Sequence, residues 1–143
     1  MAPRLGPEAL AAIVNLHEFE APARERMSGP NFDYLAGGSW DEITLAENDA
    51  AWRQVRLVPR VLGDIRSIDL SGAFLGRRSA LPIAVAPMDA QAMAHPDAEA
   101  AMTRAARAAA IPMILSTSAS MTPEAVAEAA GELRRDLVVR AAR

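Results

Sequence analysis

LPIAVAPMDAQAMAHPDAEAAMTRAARAAAIPMILSTSAS, residues Leu81–Ser120, reads as strand, loop, helix, strand, loop, and this order decides the fold. Ile83 to Ala86 is a short apolar run closed by Pro87, which has no N–H to give a ladder; such a run suits a strand buried on both faces. From Pro96 the chain becomes alanine-rich. Ala98, Ala101, Met102, Ala105 and Ala109 share one stripe, with Asp97, Glu99, Arg104 and Arg107 around the rest, which predicts an amphipathic helix. Asp97 and Glu99 suit the positive end of its dipole. Pro112 interrupts the helix, and Met113 to Leu115 supplies a second apolar run before Ser116, Thr117, Ser118 and Ser120. The unit is βαβ, so Ile83–Ala86 and Met113–Leu115 are expected to be adjacent parallel strands. Sites in parallel α/β folds sit at the C-terminal ends of strands. The loops Pro87–Gln91 and Ser116–Ser120 should therefore open on the same face.

Working outward, Glu8 to His17 and Leu16 to Met27 carry helical spacing, and Ser28-Gly29-Pro30 breaks it. Asn31 is expected to cap a short helix bearing Phe32 and Tyr34, which Gly37-Gly38 ends with positive φ. Ser39 then caps a helix over Asp41–Gln54. Arg56 to Arg60 reads as extended, and Ser67 to Pro82 as a β-hairpin in which Ile68 and Leu70, then Phe74 and Leu75, flank turn residues, with a second polar break at Gly76–Ser79. Thr122 and Pro123 form an N-cap and first-turn pair for a helix over Glu124–Ala130 with Val126 and Ala129 inward. The end, ELRRDLVVRAAR over Glu132–Arg143, has Leu133, Leu137 and Ala141 at fourfold spacing and predicts another helix. No repeat or low-complexity linker divides the chain, so one domain, 1–143, is expected.

Composition narrows the function. A net charge of −3 among 143 residues argues against a nucleic-acid partner, and all 15 basic residues are arginine. Without cysteine there is no disulfide, thiolate metal site or iron–sulfur cluster. No stretch approaches the ~18 apolar residues of a membrane span, and the start lacks a signal-peptide core, so a cytoplasmic protein is the expectation. HxxxH, paired-carboxylate and GxSxG patterns are absent; no metal site is expected.

Three spaced motifs then carry a resemblance. They are Ala86-Pro87, Gln91, Ala94-His95-Pro96-Asp97 with Leu115-Ser116-Thr117; Asp33-Tyr34, Gly37-Gly38, Asp41-Glu42, Thr44-Leu45 and Asn48; and Pro59-Arg60-Val61-Leu62. Over residues 16–130 the chain resembles the FMN-dependent α-hydroxy-acid dehydrogenases and oxidases of the glycolate oxidase, lactate oxidase and L-lactate dehydrogenase type, with 131–143 as a divergent helical tail. The resemblance implies a partial TIM (β/α)8 barrel: N-terminal helices, a hairpin under the barrel's N-terminal end, and the first two βα units. A closed barrel needs roughly 200 to 250 residues.

It also implies FMN as cofactor and a small 2-hydroxy acid as substrate. Tyr34 matches a tyrosine that contacts the substrate carboxylate, and is expected near the Pro87 and Ser116 loops. Pro87, Met88 and Asp89 match the segment lining the flavin ring, and Ser116 a serine on its pyrimidine edge. Where the family commonly has threonine and a small residue, this chain has Met88 and Asp89, and a carboxylate there disfavours an anionic reduced flavin. Without the resemblance, Tyr34 is a helix-face aromatic, Pro87–Asp89 a strand-terminating turn, and Ser116–Ser118 hydroxyls that satisfy nearby backbone. His95 is expected to be structural and His17 a helix-face residue. The resemblance places the catalytic histidine, the substrate arginines, a lysine near the flavin and the phosphate site downstream of the matching residues, so no catalytic residue is assigned here. Two readings follow: an oxidoreductase represented by its N-terminal part, completed by a C-terminal barrel fragment or a homo-oligomer, or an inactive remnant or interaction module.

Overall fold

The computed structural model describes residues 5–131 and, as strand backbone, 138–140. The chain divides into two compact units, Met1–Val61 and Leu62–Arg143.

The first unit is helical. Pro7 opens α1, Pro7–Ala12, whose N–H at that position would have no intrahelical partner in any case. A 3-10 turn, Leu16–Phe19, leads into α2, Glu20–Arg26. Ser28, rather than Asn31, caps α3, Gly29–Ala36: its hydroxyl accepts from the Asn31 N–H at 3.4 Å, and Pro30 occupies the first turn. Phe32 is buried on this helix, and the Arg24 guanidinium lies 4.2 Å from its ring centroid.

The glycines after α3 serve a different purpose from the one expected. Gly37 has φ −83°, open to any residue, but a Cβ there would sit 2.8 Å from the Asp33 carbonyl oxygen. Close approach of the backbone, not handedness, requires glycine at this position. The next helix, α4, runs over Ile43–Trp52 and starts later than Asp41 because Trp40 and Glu42 take positive φ, forming a turn in which the Glu42 N–H donates to Ser39 O.

The second unit is α/β. β1, Gly72–Phe74, and β2, Arg77–Ser79, form an antiparallel hairpin inside the expected stretch but with other strands: the turn falls at Leu75-Gly76 rather than between Leu70 and Phe74, Ile68 and Leu70 are not in a strand, and Arg77–Ser79 is strand rather than a break. Leu75 and Gly76, both with positive φ, make the tight turn whose twist suits two strands. Beyond it, Val85 forms a parallel bridge to Met113; its N–H donates to Pro112 O at 2.8 Å and its carbonyl accepts from Ile114 N–H at 3.0 Å. The expected parallel neighbours are thus paired through one residue. Ile83 is 58% exposed, so the first run is not buried on both faces.

Helix α5, Ala98–Ala108, crosses to β3, Met113–Leu115, and α6, Pro123–Ala130, follows with the Thr122 hydroxyl accepting from Ala125 N–H at 3.3 Å. The chain then returns as β4, Val138–Arg140, parallel to β3 in the register Met113↔Val138. This corrects the expectation of a helix across Glu132–Arg143: residues 138–140 are extended, and residues 132–137 and 141–143 lie outside the described residues. The β-branched pair Val138-Val139 fits a ladder beside β3, which outweighs the fourfold leucine spacing. β3 is thereby the central strand, and Ala106, Ile111, Met113, Leu115 and Val126 form the core between it and helices α5 and α6.

The buried face of α5 also differs. Glu99, Thr103 and Ala106 point inward, whereas Ala105 and Ala109 do not. The helix ends in a Schellman motif, with Ile111 N–H donating to Ala106 O and Ala110 N–H to Arg107 O. Ala110 holds the left-handed position at φ 51°, where a Cβ is costly. Ala110→Gly should therefore raise the stability of this unit by about 0.5–1 kcal/mol, after the larger unfolded-state entropy of glycine is deducted; a urea titration followed by circular dichroism checks it. The Ala80 N–H donates to Ala110 O at 2.9 Å, which ties the hairpin to the N-terminal side of β3, away from the loop that follows that strand.

Candidate functional site

The loops at the C-terminal ends of the Val85 segment and β3 are joined. Pro87 ends the first segment because it cannot donate to a ladder. Ala90 then takes φ 51° and turns the chain so that its N–H donates to Ser118 O at 3.3 Å. Two residues on, the Ala92 N–H donates to Ser120 Oγ at 3.0 Å. The expectation that these loops share one face is met by direct bonds.

Asp89 and Ser116 meet there. The Ser116 hydroxyl donates to Asp89 Oδ1, and Ser116 Oγ accepts from the Ser118 N–H at 3.1 Å. A serine hydroxyl has one proton and two lone pairs, so a single lone pair remains free. As placed, Ser116 can accept from a ring N–H and cannot donate to a ring carbonyl. Met88 and Pro87 are exposed beside it, so the four residues assigned to a flavin from the sequence lie on one pair of loops. Tyr34 belongs to the helical unit, on α3, where the residue is 64% exposed.

Glu99 was not anticipated. Expected among the solvent-facing charges of α5, it is 0% exposed, and its Oε1 accepts from the Ser120 N–H at 2.8 Å. Its Oε2 is buried without a hydrogen-bond partner among the described residues. Thr103, one turn on, donates its hydroxyl to Glu99 O at 2.7 Å, and Met113 Sδ lies 3.3 Å from the same oxygen. The helix thereby fixes the loop after β3 from beneath. Removing the carboxyl takes the acceptor, a charged one, away from the part-buried Ser120 N–H: Glu99→Ala should cost about 1–3 kcal/mol, and Glu99→Gln, which keeps an acceptor, clearly less. Urea unfolding of the two variants side by side is the check.

His95 contributes to the loop rather than offering a base to it: its Nδ1 accepts from the Asp97 N–H at 3.1 Å, and its carbonyl accepts from Ala98 N–H at 2.9 Å as α5 begins. His17 lies 3.7 Å from Asp49 on the surface of the helical unit. No group of three or more potential metal-binding side chains occurs among the described residues, and no helix among them is long and apolar enough to cross a membrane.

Residues 23–142 match the FMN-dependent dehydrogenase family. The chain is 41% identical over 120 residues to an L-lactate oxidase of Nostoc sp., covering 84% of this chain and 33% of that one. It is 40% identical over 122 residues to glycolate oxidase of Spinacia oleracea, covering 85% and 33%. A 4-hydroxymandelate oxidase of Amycolatopsis orientalis is 41% identical over 118 residues, at 82% and 33%. The solved structure of a mandelate oxidase superposes with a TM-score of 0.80 at 38% identity, covering 89% of this chain and 36% of that one. The chain spans about a third of the length of the curated relatives it matches.

Proposed function

Since the chain belongs to the FMN-dependent dehydrogenase family, we propose that it forms the N-terminal part of an oxidoreductase acting on the CH–OH group of small 2-hydroxy acids such as lactate or glycolate. The family's cofactor is FMN, which when bound accepts the electrons that leave the hydroxy-acid carbon. The observation that carries the reading is the joined pair of loops at the C-terminal ends of parallel strands, within the matched residues, where α/β folds of this kind hold their ligands.

In this reading β3, β4 and the Val85 segment belong to a partial (β/α)8 barrel that a C-terminal fragment or a second copy completes. The loop backbone of Pro87, Met88 and Asp89 lies along the flavin ring, and Ser116 offers its remaining lone pair to a ring N–H. Tyr34 donates its phenol proton to the substrate carboxylate; a phenol stays neutral near pH 7 and so orients an anion without titrating.

Amide NMR during FMN addition tests this. Shifts should concentrate at residues 86–92 and 116–120, and the Tyr34 ring should respond to added lactate. Shifts confined to the hairpin or to α6 would sink the assignment.

A further inference from the structure

We propose that Asp89 is a latch that sets how tightly these loops take a flavin, by holding the one proton that Ser116 could donate to it. This rests on the flavin reading above and deepens it: a residue that sequence matching places among the ring's neighbours works against the ring. The Ser116 hydroxyl donates to Asp89 Oδ1, and one of its oxygen's two lone pairs is taken by the Ser118 N–H. Asp89 is kept in place by backbone on both sides. Pro87 limits the chain before it, and the left-handed Ala90, bonded through its N–H to Ser118 O, fixes the chain after it. A hydrogen bond to a carboxylate is stronger than one to a neutral carbonyl, so a flavin carbonyl does not displace Asp89 from Ser116. The carboxylate charge also opposes an electron-rich or anionic ligand at the same spot. The latch thus favours the unliganded loops.

The test uses the full chain and FMN as the probe, with flavin fluorescence quenching as the readout, in wild type, Asp89→Ala, Asp89→Asn, Ser116→Ala and the Asp89→Ala/Ser116→Ala double variant. Asp89→Ala should bind FMN at least about tenfold more tightly than wild type, because it frees the hydroxyl and removes the charge. Asp89→Asn, of equal size and still able to accept from Ser116, should gain less. The double variant should lose the part of the gain that runs through the hydroxyl and keep the part that comes from removing the charge. Asp89 is exposed, so these variants are expected to fold, and the Ser118 amide resonance should move in Asp89→Ala while α5 and α6 resonances do not. Equal affinity of wild type and Asp89→Ala would overturn the latch and leave the flavin reading standing, as would a gain that persists undiminished in the double variant. Failure of all five proteins to bind FMN would overturn both.

Discussion

A chain of these 143 residues expressed alone should be purified colourless and should leave lactate, glycolate and mandelate unoxidised. Tight capture of FMN in such folds depends on its phosphate, held by late loops and a helix N-terminus that the family resemblance places beyond the residues matched here. Two short loops with one free lone pair on Ser116 can contact an edge of the ring only. The expected affinity is micromolar to millimolar, about 4 to 8 kcal/mol. Turnover should fail by a wider margin. The chain's two histidines are engaged elsewhere, His95 accepting from the Asp97 N–H and His17 beside Asp49. A missing general base alone removes roughly 10²- to 10⁴-fold, and lost positioning removes more. Absorbance in the flavin band after purification with added FMN, followed by dye reduction with each acid, is the measurement. A yellow protein that turns over would refute the assignment of base and phosphate site to later residues. Restored turnover on mixing with a C-terminal fragment of a relative would support the completed barrel.

Met113→Ala should strongly destabilise the α/β unit. Met113 is 0% exposed at the centre of the three parallel segments, with the Val85 bridge on one side and β4 on the other. It packs with Ala106, Ile111, Leu115 and Val126, and its sulfur touches the Thr103 hydroxyl oxygen at 3.3 Å, so truncation opens a cavity that rigid strands cannot close. The expected cost is about 2–5 kcal/mol. That is a large share of a domain's usual total of about 5–15 kcal/mol. Both tryptophans, Trp40 and Trp52, lie in the helical unit, so their fluorescence does not report on this loss. Circular dichroism and amide NMR of residues 98–130 do. A cost below about 1 kcal/mol would mean that the core is looser than its burial implies.

Much of the second unit was legible because short-range chemistry dictates it. Pro87 stops a ladder and Thr122-Pro123 starts a helix, whereas the sequence marks the right stretch for the hairpin with the wrong strands, its turn falling at Leu75-Gly76 and not before Phe74. The site loops followed from the βαβ order alone. The inward face of α5 was not legible. In an alanine-rich helix every stripe is weakly apolar, and the demand of the Ser120 N–H for an acceptor, which draws Glu99 inside, comes from a residue twenty-one positions away. β4 was missed for a related reason. Leu133, Leu137 and Ala141 repeat at helical spacing, and what selects an extended chain at Val138–Arg140 is the open side of β3, a partner that no local window contains. Gly37 shows the same limit on a smaller scale, since the crowding by Asp33 O arises only once α3 has formed. The Asp89–Ser116 bond spans twenty-seven residues and depends on the turn at Ala90, so the sequence supplied the two residues and not their pairing.

The order Val85 segment, β3, β4 leaves the far side of β4 without a ladder partner among the described residues. A row of unpaired backbone donors and acceptors is a template for any extended chain that meets it. In concentrated solution the outcome is colloidal: molecules add edge to edge, scattering rises with protein concentration, and the rise persists in high salt because amide pairing, unlike attraction between surface charges, is not screened by ions. A segment that caps this edge in register would therefore act first as a solubilising partner, keeping the chain monodisperse whether or not any chemistry follows.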